Sequence, residues 1–336
     1  IKDPASVKIR VALVFPDTYE IGMSHTGLKI LASVLNQMDG VMAERCFAPL
    51  ADLEKILRAN KLPLFSLETK TPLADFDIIG ITLPHELVYT NVLNILDLAG
   101  LPLLSKDRNE RHPLIIGGGP IAYNPEPIAD FFDAFGLGDG EELIVNVIDL
   151  FRTSTRRHVD TSARLLNLSR IPGTYIPSFF EPTYNPDGTI KQIKPLLAGY
   201  TGVQKRIVND LDKQPYPIVP IIPNIRLVHD RIDVEIQRGC TRGCRFCQAG
   251  MIERPVRQRT PQKILDIAKK SIDNSGIEEL SLLSLSAGDY PQIAPLLSRL
   301  NEMCHEHRVS LSVPATRTET LTPEMIAEIK KVRMTG

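Results

Sequence analysis

Residues 232–247 read IDVEIQRGCTRGCRFC, and they join a short apolar strand to a loop that carries three cysteines. Cys240, Cys244 and Cys247 follow the strand in a C-x3-C-x2-C spacing. The chain has five cysteines, and crowding three of them into one short loop is wrong for a disulfide framework. It is typical of a metal site in a reducing compartment. The sequence therefore predicts a metal centre directly after this strand.

Two kinds of metal centre suit three thiolates on one loop. Three thiolates can hold three irons of a [4Fe-4S] cluster and leave the fourth iron open to an outside ligand. A zinc knuckle is the alternative, but structural zinc takes four ligands in a closed tetrahedron, commonly from two C-x-x-C pairs. This loop contains one such pair, so Cys304 would have to be the fourth zinc ligand. The spacing favours the cluster.

The sequence around and after the cysteine loop alternates strands with helices. Short apolar runs predict strands at Asp233–Ile236, Leu280–Leu285 and Val309–Val313. Apolar residues at helical spacing predict helices at about Pro261–Asn274, Pro291–His305 and Pro323–Val332. Three consecutive βα units predict an α/β domain over residues 231–336, either a partial (β/α) barrel of the TIM type or an open α/β sheet. Because the chain stops where another strand is expected, we expect this domain to be truncated at its C-terminus.

The first part of the chain shows the same alternation, which predicts an α/β domain over residues 1–152. Short runs rich in Ile, Val and Leu predict strands at 7–15, 77–83, 113–116 and 134–137. Apolar residues at helical spacing predict helices at 27–38 and 87–98. This pattern indicates a doubly wound, Rossmann-like parallel sheet with helices on both faces. Ligands of such sheets bind at the carboxyl ends of the strands.

Between these two domains, residues 153–230 are richer in proline and less periodic. The sequence NPDG at Asn185–Gly188 predicts a tight turn between two short strands. We interpret this segment as a linker with a small β-hairpin.

Composition supports an ordinary globular protein of about two domains. The 336 residues are 43% hydrophobic and 24% charged, which excludes a disordered or collagen-like chain. Lys and Arg number 39 against 40 Asp and Glu, so net charge gives no argument for a nucleic-acid or membrane partner. No apolar run approaches the roughly 20 residues of a membrane span, and the N-terminus lacks a signal peptide. We expect a soluble, cytoplasmic fragment without a membrane partner.

The cysteine loop and several other stretches of the chain resemble a known family. The cysteine loop is similar to the signature of the radical S-adenosylmethionine (radical SAM) superfamily, and the whole chain resembles a largely uncharacterised radical SAM family with an N-terminal B12-binding-like domain. Five stretches carry the resemblance: FPDTYEIGMSHTGLKIL (15–31), PLADFDIIGITL (72–83), GGGPIAYNPEPIADFFDAFGLGDGEE (117–142), RGCTRGCRFCQAGMI (238–252) and SLLSLSAGDY (281–290).

The resemblance implies that the three cysteines bind a [4Fe-4S] cluster and that S-adenosylmethionine (SAM) binds its open iron. Phe246 matches the aromatic residue before the last cysteine. Gly288 and Asp289 stand where the family usually has a Gly-Gly-Glu-like motif that holds the aminoacyl end of SAM, although Asp289 could instead be a helix N-cap. Arg317 could pair with the SAM carboxylate or be a plain surface residue.

Two arginines flank the cysteines themselves. Arg242 and Arg245 could make a cluster easier to reduce by offsetting its negative charge. The alternative is that both are solvated loop residues or contact a substrate phosphate.

The resemblance also implies a possible cobalamin in the first domain. Two glycine-rich turns follow neighbouring predicted strands, and in B12-dependent relatives such positions line cobalamin; here they are Gly117, Gly118, Gly119, Gly138 and Gly140. Glycines that only make tight βα turns are the alternative. The D-x-H-x-x-G motif that supplies a lower cobalt ligand is absent, because Met23 and Leu28 stand at its acid and glycine positions. His25 is therefore expected to begin a helix.

The predicted function is that of a radical SAM enzyme. The cluster cleaves SAM reductively to a 5′-deoxyadenosyl radical, with an electron from a reductant such as flavodoxin or ferredoxin. The reaction could be a methyl transfer assisted by cobalamin or another radical modification, with a tRNA or a protein as a possible substrate. The alternatives are an iron-sulfur electron-transfer or sensing protein with a ligand-binding first module and, third, a zinc-stabilised RNA-binding protein.

Overall fold

The computed structural model describes residues 2–153 and 160–331. The chain divides into two compact units, Ile1–Val208 and Asn209–Gly336. The division falls inside the segment 153–230 that the sequence assigns to a linker, so residues 160–208 belong to the first unit. The predicted boundaries at 152 and 230 stay a prediction. The predicted helix end at Val332 lies outside the described residues.

A mostly parallel sheet forms the centre of the first unit. Within residues 2–153 and 160–208 its six strands are β1 Ile9–Phe15, β2 Val41–Phe47, β3 Ile78–Thr82, β4 Leu114–Gly118, β5 Ala134–Gly136 and β6 Thr174–Tyr175. They lie in the order β2-β1-β3-β4-β5-β6, with β6 antiparallel and the others parallel. This arrangement confirms the doubly wound α/β class predicted for this part of the chain.

Helices cover both faces of this sheet. They are α1 Tyr19–Gly22, α2 Thr26–Gln37, α3 Ala51–Asn60, α4 Tyr89–Leu98, α5 Gly140–Thr153 and α6 Thr161–Leu168. Alternate residues of a strand point to opposite faces, and Ala12 and Val14 of β1 share one buried cluster with Leu57 of α3 and with α4. Helices α2 and α5 pack against β1 and against each other. Burial on both faces explains why the strands read as continuous apolar runs.

The predicted hairpin is present in the first unit. Strands β7 Phe180–Tyr184 and β8 Ile190–Pro195 pair antiparallel around a turn in which the amide of Gly188 donates to the Asn185 carbonyl. The hairpin is anchored at its base, where the Phe180 ring stacks on Tyr175. A two-stranded hairpin is marginal alone, so this aromatic anchor supplies the needed burial.

The second unit is a partial (β/α) barrel, as the sequence predicts. Its strands are β9 Ile232–Glu235, β10 Gln237–Arg238, β11 Arg257–Gln258, β12 Glu279–Leu283 and β13 Ser310–Ser312, and its helices are α7 Ala249–Ile252, α8 Pro261–Asp273, α9 Ile293–His307 and α10 Pro323–Ile329. Strands β9, β12 and β13 are parallel and adjacent in chain order. Strands β10 and β11 form a separate antiparallel pair.

No helix among the described residues combines the length and apolar character that crossing a membrane requires.

His25 begins α2, as predicted. Its Nδ1 accepts a hydrogen bond from the Leu28 amide at 3.1 Å, and its ring lies 5.1 Å from the Phe15 ring, between centroids. Burial, with a smaller contribution from the positive charge of Lys29, lowers the pKa of His25 from 6.5 to about 4. The imidazole is therefore a neutral cap that accepts from the helix backbone, which makes it unsuitable as a solvent-facing metal ligand.

We expect this histidine to make the first unit acid-sensitive. Unfolded His25 takes up a proton below about pH 6.5, whereas the folded residue resists protonation until about pH 4, so the free energy of unfolding falls over that window. Between pH 7.5 and pH 5 the loss is up to about 2 kcal/mol. In His25→Asn, which keeps a capping acceptor without the titration, urea unfolding should lose this part of the pH dependence. Equal pH slopes for both proteins would contradict the assignment.

Candidate metal centre

The cysteine loop is closed by the short antiparallel pair β10–β11. Gln237 pairs with Gln258 and Arg238 with Arg257. The loop of residues 239–256 therefore begins and ends at this strand pair. Gly239 has a φ of +87°, and a Cβ there would lie 2.5 Å from the Glu253 carbonyl oxygen. Only glycine allows the chain to turn this sharply into the loop.

The three thiols are partly buried, and each sulfur accepts a hydrogen bond. The Arg242 amide donates to Cys240 Sγ at 3.4 Å, and the Gly250 amide donates to Cys247 Sγ at 3.3 Å. Arg317 Nη1 donates to Cys244 Sγ at 3.0 Å. Donors aimed at sulfur stabilise negative charge on it, which suits thiols that act as thiolate ligands.

The donor set fits an iron-sulfur cluster better than a single zinc ion. Within the part of the chain that the structure describes, no three His, Cys, Asp or Glu side chains converge on a point that could hold one metal ion. The three loop thiols could each bind a different iron of a four-iron cluster, whereas a structural zinc ion takes four protein ligands. Cys304, which zinc would need, is fully buried in α9, and burial raises its pKa to about 11.

Asp289 is held by Arg242 of the cysteine loop. Arg242 Nε donates to Asp289 Oδ2 at 2.7 Å, and Nη2 donates to the other carboxylate oxygen. This pairing lowers the pKa of Asp289 and raises that of Arg242. Asp289 lies in a 3-10 turn and is not the α9 N-cap, a position that Gln292 holds. Arg242 is therefore a structural partner of this acid rather than a free loop cation.

Arg317 contacts the cysteine loop and is not a plain surface residue. Besides its bond to Cys244, its Nε donates to Glu319 Oε1 at 2.5 Å. The carboxylate of Glu319 is the main reason that the pKa of Arg317 is raised. Its expected pairing with a SAM carboxylate stays a prediction, and the structure adds the thiol contact.

The other two predicted cofactor residues have contrasting surroundings. Phe246 is 92% exposed, so its ring is available to a ligand. Gly288 lies against the loop after β13, where an added Cβ would be 2.0 Å from Thr320 Oγ1. Close packing between two βα loops explains the glycine without a cofactor.

Glu319 and Thr320 were not expected from the sequence. Glu319 orients Arg317, and Thr320 donates through its hydroxyl to the Arg317 carbonyl at 2.8 Å. The only local signal was an acid two residues after Arg317, and such a spacing is too common to indicate a site.

In the first unit, most of the predicted cobalamin glycines are explained by packing of the chain itself. A Cβ at Gly117 would meet the Phe135 ring at 2.7 Å, at Gly119 the Leu83 carbonyl oxygen at 2.9 Å, and at Gly138 the Arg206 carbonyl oxygen at 2.0 Å. A Cβ at Gly140 would lie 3.3 Å from the Leu31 side chain.

Gly118 is the exception among the five glycines. A Cβ there would meet its nearest neighbour, the Gly136 carbonyl oxygen, at 3.9 Å, which is ordinary contact. The fold therefore has room for a side chain at position 118, so packing of the chain does not explain why this residue is glycine.

Several other residues of types that can bind metals or ligands have structural explanations. Cys46 is buried in β2, and burial raises its pKa to about 12. His307 at the end of α9 lies 3.9 Å from Asp273 on the surface. Asp17 accepts the Thr18 amide at 2.7 Å just before α1, which contains Tyr19 and Glu20. Asp17, Tyr19 and Glu20 follow β1 at the carboxyl edge of the sheet.

The fold and the site define a class: a doubly wound α/β unit followed by a partial (β/α) barrel whose first strand ends in a three-cysteine loop. Residues 27–177 match the family model described as radical SAM proteins, N-terminal. Residues 234–335 match the model of the radical SAM superfamily. The chain belongs to the radical SAM superfamily.

Similar proteins are longer than this chain. It is 26% identical over 330 residues to an uncharacterised protein of Methanocaldococcus jannaschii, a match that covers 97% of this chain and 59% of that protein. The chain thus spans about three-fifths of the curated relative.

Among the solved structures that match are two of TsrM, a radical S-adenosylmethionine methyltransferase from Kitasatospora setae. A structure with cobalamin and a [4Fe-4S] cluster bound has a TM-score of 0.59 and 13% identity, covering 97% of this chain and 59% of TsrM. A second, with tryptophan substrate and the SAM analogue aza-SAM, has a TM-score of 0.59 and 15% identity, covering 97% and 58%. At such identity the likeness shows the fold.

The contact between Gly288 and Thr320 predicts a steric requirement. In Gly288→Ala the new methyl group would overlap Thr320, so we expect a loss of about 1–3 kcal/mol in the free energy of unfolding. In a Thr320→Gly background the overlapping atoms are gone, and the same alanine should cost much less. Denaturant unfolding of the four proteins in this double-mutant cycle measures the coupling. An equal loss of stability in both backgrounds would show that the requirement for glycine at position 288 does not come from Thr320.

Proposed function

We propose that this chain is the cofactor-binding part of a radical SAM enzyme. The observation that carries the proposal is the set of three partly buried thiols on one clasped loop at the carboxyl end of β9, in the second unit. Active sites of (β/α) barrels lie at this end of the strands.

The residues of the chain have distinct roles in this proposal. Cys240, Cys244 and Cys247 would hold a [4Fe-4S] cluster as thiolates, leaving one iron for SAM. The cluster with SAM supplies one-electron cleavage of the C5′–S bond, which gives methionine and a 5′-deoxyadenosyl radical. A flavodoxin- or ferredoxin-type reductant would supply the electron.

The carboxylate of Asp289 and the exposed ring of Phe246 are the proposed contacts of SAM. Asp289 stays ionised through its pair with Arg242, so it can accept a hydrogen bond from the amino group of SAM. Phe246 presents an apolar surface beside the last cysteine. These roles rest on the position of Phe246 in the cysteine loop and of Asp289 in the loop after β12.

Three thiolates rather than four favour an enzyme over a purely electron-transferring protein. A cluster with four protein ligands has no open position, whereas a three-cysteine loop leaves an iron that invites an outside ligand. Electron transfer or sensing is therefore the outcome to exclude by experiment.

We expect each loop cysteine to be needed for both iron content and SAM cleavage. After anaerobic reconstitution with iron and sulfide, Cys240→Ala, Cys244→Ala and Cys247→Ala should hold much less iron and release no 5′-deoxyadenosine when given dithionite and SAM. Cys304→Ala is the control, because that thiol is buried in α9 and should not bind the cluster. Iron analysis and chromatography of 5′-deoxyadenosine measure the two results.

The outcomes separate the candidate functions. Wild-type protein with a full cluster and no 5′-deoxyadenosine would support the electron-transfer or sensing alternative. Stoichiometric zinc and no iron in protein purified anaerobically would support the zinc alternative. Retained cleavage in all three loop variants would overturn the proposal.

We also propose cobalamin as a second cofactor, bound at the carboxyl edge of the first sheet. The parallel strand order β2-β1-β3-β4-β5 places a topological switch point between β1 and β3, where ligands of such sheets bind. Gly118 at the end of β4 offers bare backbone near this edge. His25 is not the lower ligand, because its Nδ1 caps α2. A cobalamin here would support a methyl transfer or another radical modification.

Gly118→Ala tests this cobalamin site with little risk to the fold, since the new Cβ has room. If cobalamin approaches the bare backbone, the methyl group should weaken hydroxocobalamin binding about tenfold, measured by absorbance titration. Gly80→Ala is the matched control, because Gly80 lies within β3 and its added Cβ would also make only ordinary contacts, 3.6 Å from Leu13 Cδ2. Unchanged affinity for hydroxocobalamin in Gly118→Ala would show that cobalamin does not bind against this part of the sheet edge.

The predicted tRNA or protein substrate and the predicted cytoplasmic location stay predictions.

A further inference from the structure

The guanidinium of Arg317 connects a cysteine sulfur to a carboxylate. Nη1 lies 3.0 Å from Cys244 Sγ, and Nε lies 2.5 Å from Glu319 Oε1. The side chain of Arg317 is 40% exposed, so it remains partly in solvent while making both contacts. It is the one side-chain donor to a loop cysteine sulfur among the described residues, since Cys240 and Cys247 receive backbone amides.

The two arginines inside the cysteine loop are arranged differently. Arg242 is engaged with Asp289, so most of its positive charge is offset by a carboxylate. Arg245 is exposed and makes no hydrogen bond or ion pair within the described part of the chain. The cation in direct contact with a cysteine sulfur therefore comes from the loop after β13, which lies about 70 residues later in the sequence.

Several contacts fix the backbone from which Arg317 projects. The Thr320 amide and hydroxyl both donate to the Arg317 carbonyl, at 3.0 and 2.8 Å. Thr320 packs against Gly288, and the Ala287 amide donates to the Ala315 carbonyl at 2.7 Å. The loops after β12 and β13 thus support each other, and a supported guanidinium loses less conformational entropy when it binds the sulfur.

We propose that Arg317 is a positioning residue that sets the reduction potential of the cluster through its hydrogen bond to the Cys244 sulfur. This inference rests on the proposed function, because it requires a cluster on the three cysteines. Reduction adds one electron, and hence negative charge, to the cluster. A cationic N–H donor at a ligating sulfur stabilises the reduced form more than the oxidised form and so raises the potential.

The effect should be modest, because the guanidinium is partly exposed and also pairs with Glu319. In Arg317→Gln we expect the ratio of reduced to oxidised cluster at a fixed applied potential to fall about tenfold. For a one-electron couple this ratio corresponds to a shift of about 59 mV to more negative potential.

The test is a dithionite titration of reconstituted protein, followed by electron paramagnetic resonance in the absence of SAM. Arg317→Lys keeps a positive charge and an N–H donor, so it should recover part of the shift. Arg245→Gln is the matched control, because it removes the same charge from the residue next to Cys244 but no described hydrogen bond. Iron content is measured in every variant.

The expected result is a shift in Arg317→Gln, partial recovery in Arg317→Lys and little change in Arg245→Gln. Equal shifts in Arg317→Gln and Arg245→Gln would show a general charge effect and overturn the inference. An unchanged potential in Arg317→Gln together with weaker SAM binding would show that Arg317 acts on the SAM carboxylate alone. That result would also overturn the inference. Wild-type protein that assembles no cluster would instead overturn the proposed function.

Discussion

The two ends of the cysteine loop are joined by the very short antiparallel strand pair β10–β11, which is stabilised by one buried arginine. Strands β10 and β11 pair at only two positions, which is too little for a stable ribbon by itself. Arg259, directly after β11, is almost fully buried. Its guanidinium donates to the Leu211 carbonyl, lies 3.3 Å from a Glu235 carboxylate oxygen and stacks 5.1 Å from the centre of the Tyr216 ring. The Tyr290 hydroxyl donates to the Arg259 carbonyl. Loss of one partner would leave an uncompensated buried charge, so these contacts act together to hold both ends of the loop.

Two of the arginines around the loop are paired with acids. Arg242 is paired with Asp289 and Arg317 with Glu319, whereas Arg245 is exposed and has no ion pair among the described residues. The two pairs come from three different βα loops, and each fixes one arginine in a definite direction. A fixed, paired arginine is a better hydrogen-bond donor than a mobile one, because less side-chain entropy is lost. Net charge, at −1 for the whole chain, conceals this arrangement.

The sequence could predict four strands of the first sheet, the three βα units of the second unit and the cysteines, but not the partners of the site. Buried parallel strands read as apolar runs, and a C-x3-C-x2-C spacing places three thiols on one loop whatever surrounds them. The contact of Arg317 with Cys244 spans more than 70 residues and depends on a side-chain rotamer, so no local pattern encodes it. Likewise, a glycine needed for close packing and a glycine left bare for a ligand look the same in sequence. The structure distinguishes Gly138 from Gly118, because the Arg206 backbone packs against Gly138 and no atom packs as closely against Gly118.

The segment near Arg206 also limits where a ligand can bind the first unit. The Arg206 amide donates to the Leu137 carbonyl, the Asp139 amide donates to the Arg206 carbonyl, and the Val208 amide donates to the Asp139 carboxylate at 2.7 Å. The carboxyl end of β5 is therefore covered by the chain's own backbone, which satisfies the polar groups that a ligand would otherwise need to satisfy. The ends of β1, β3 and β4 lack this cover from residues 206–208. Because ligands of doubly wound sheets bind where adjacent crossovers diverge, the covered end of β5 and the switch point between β1 and β3 both favour the same part of the edge for the proposed cofactor.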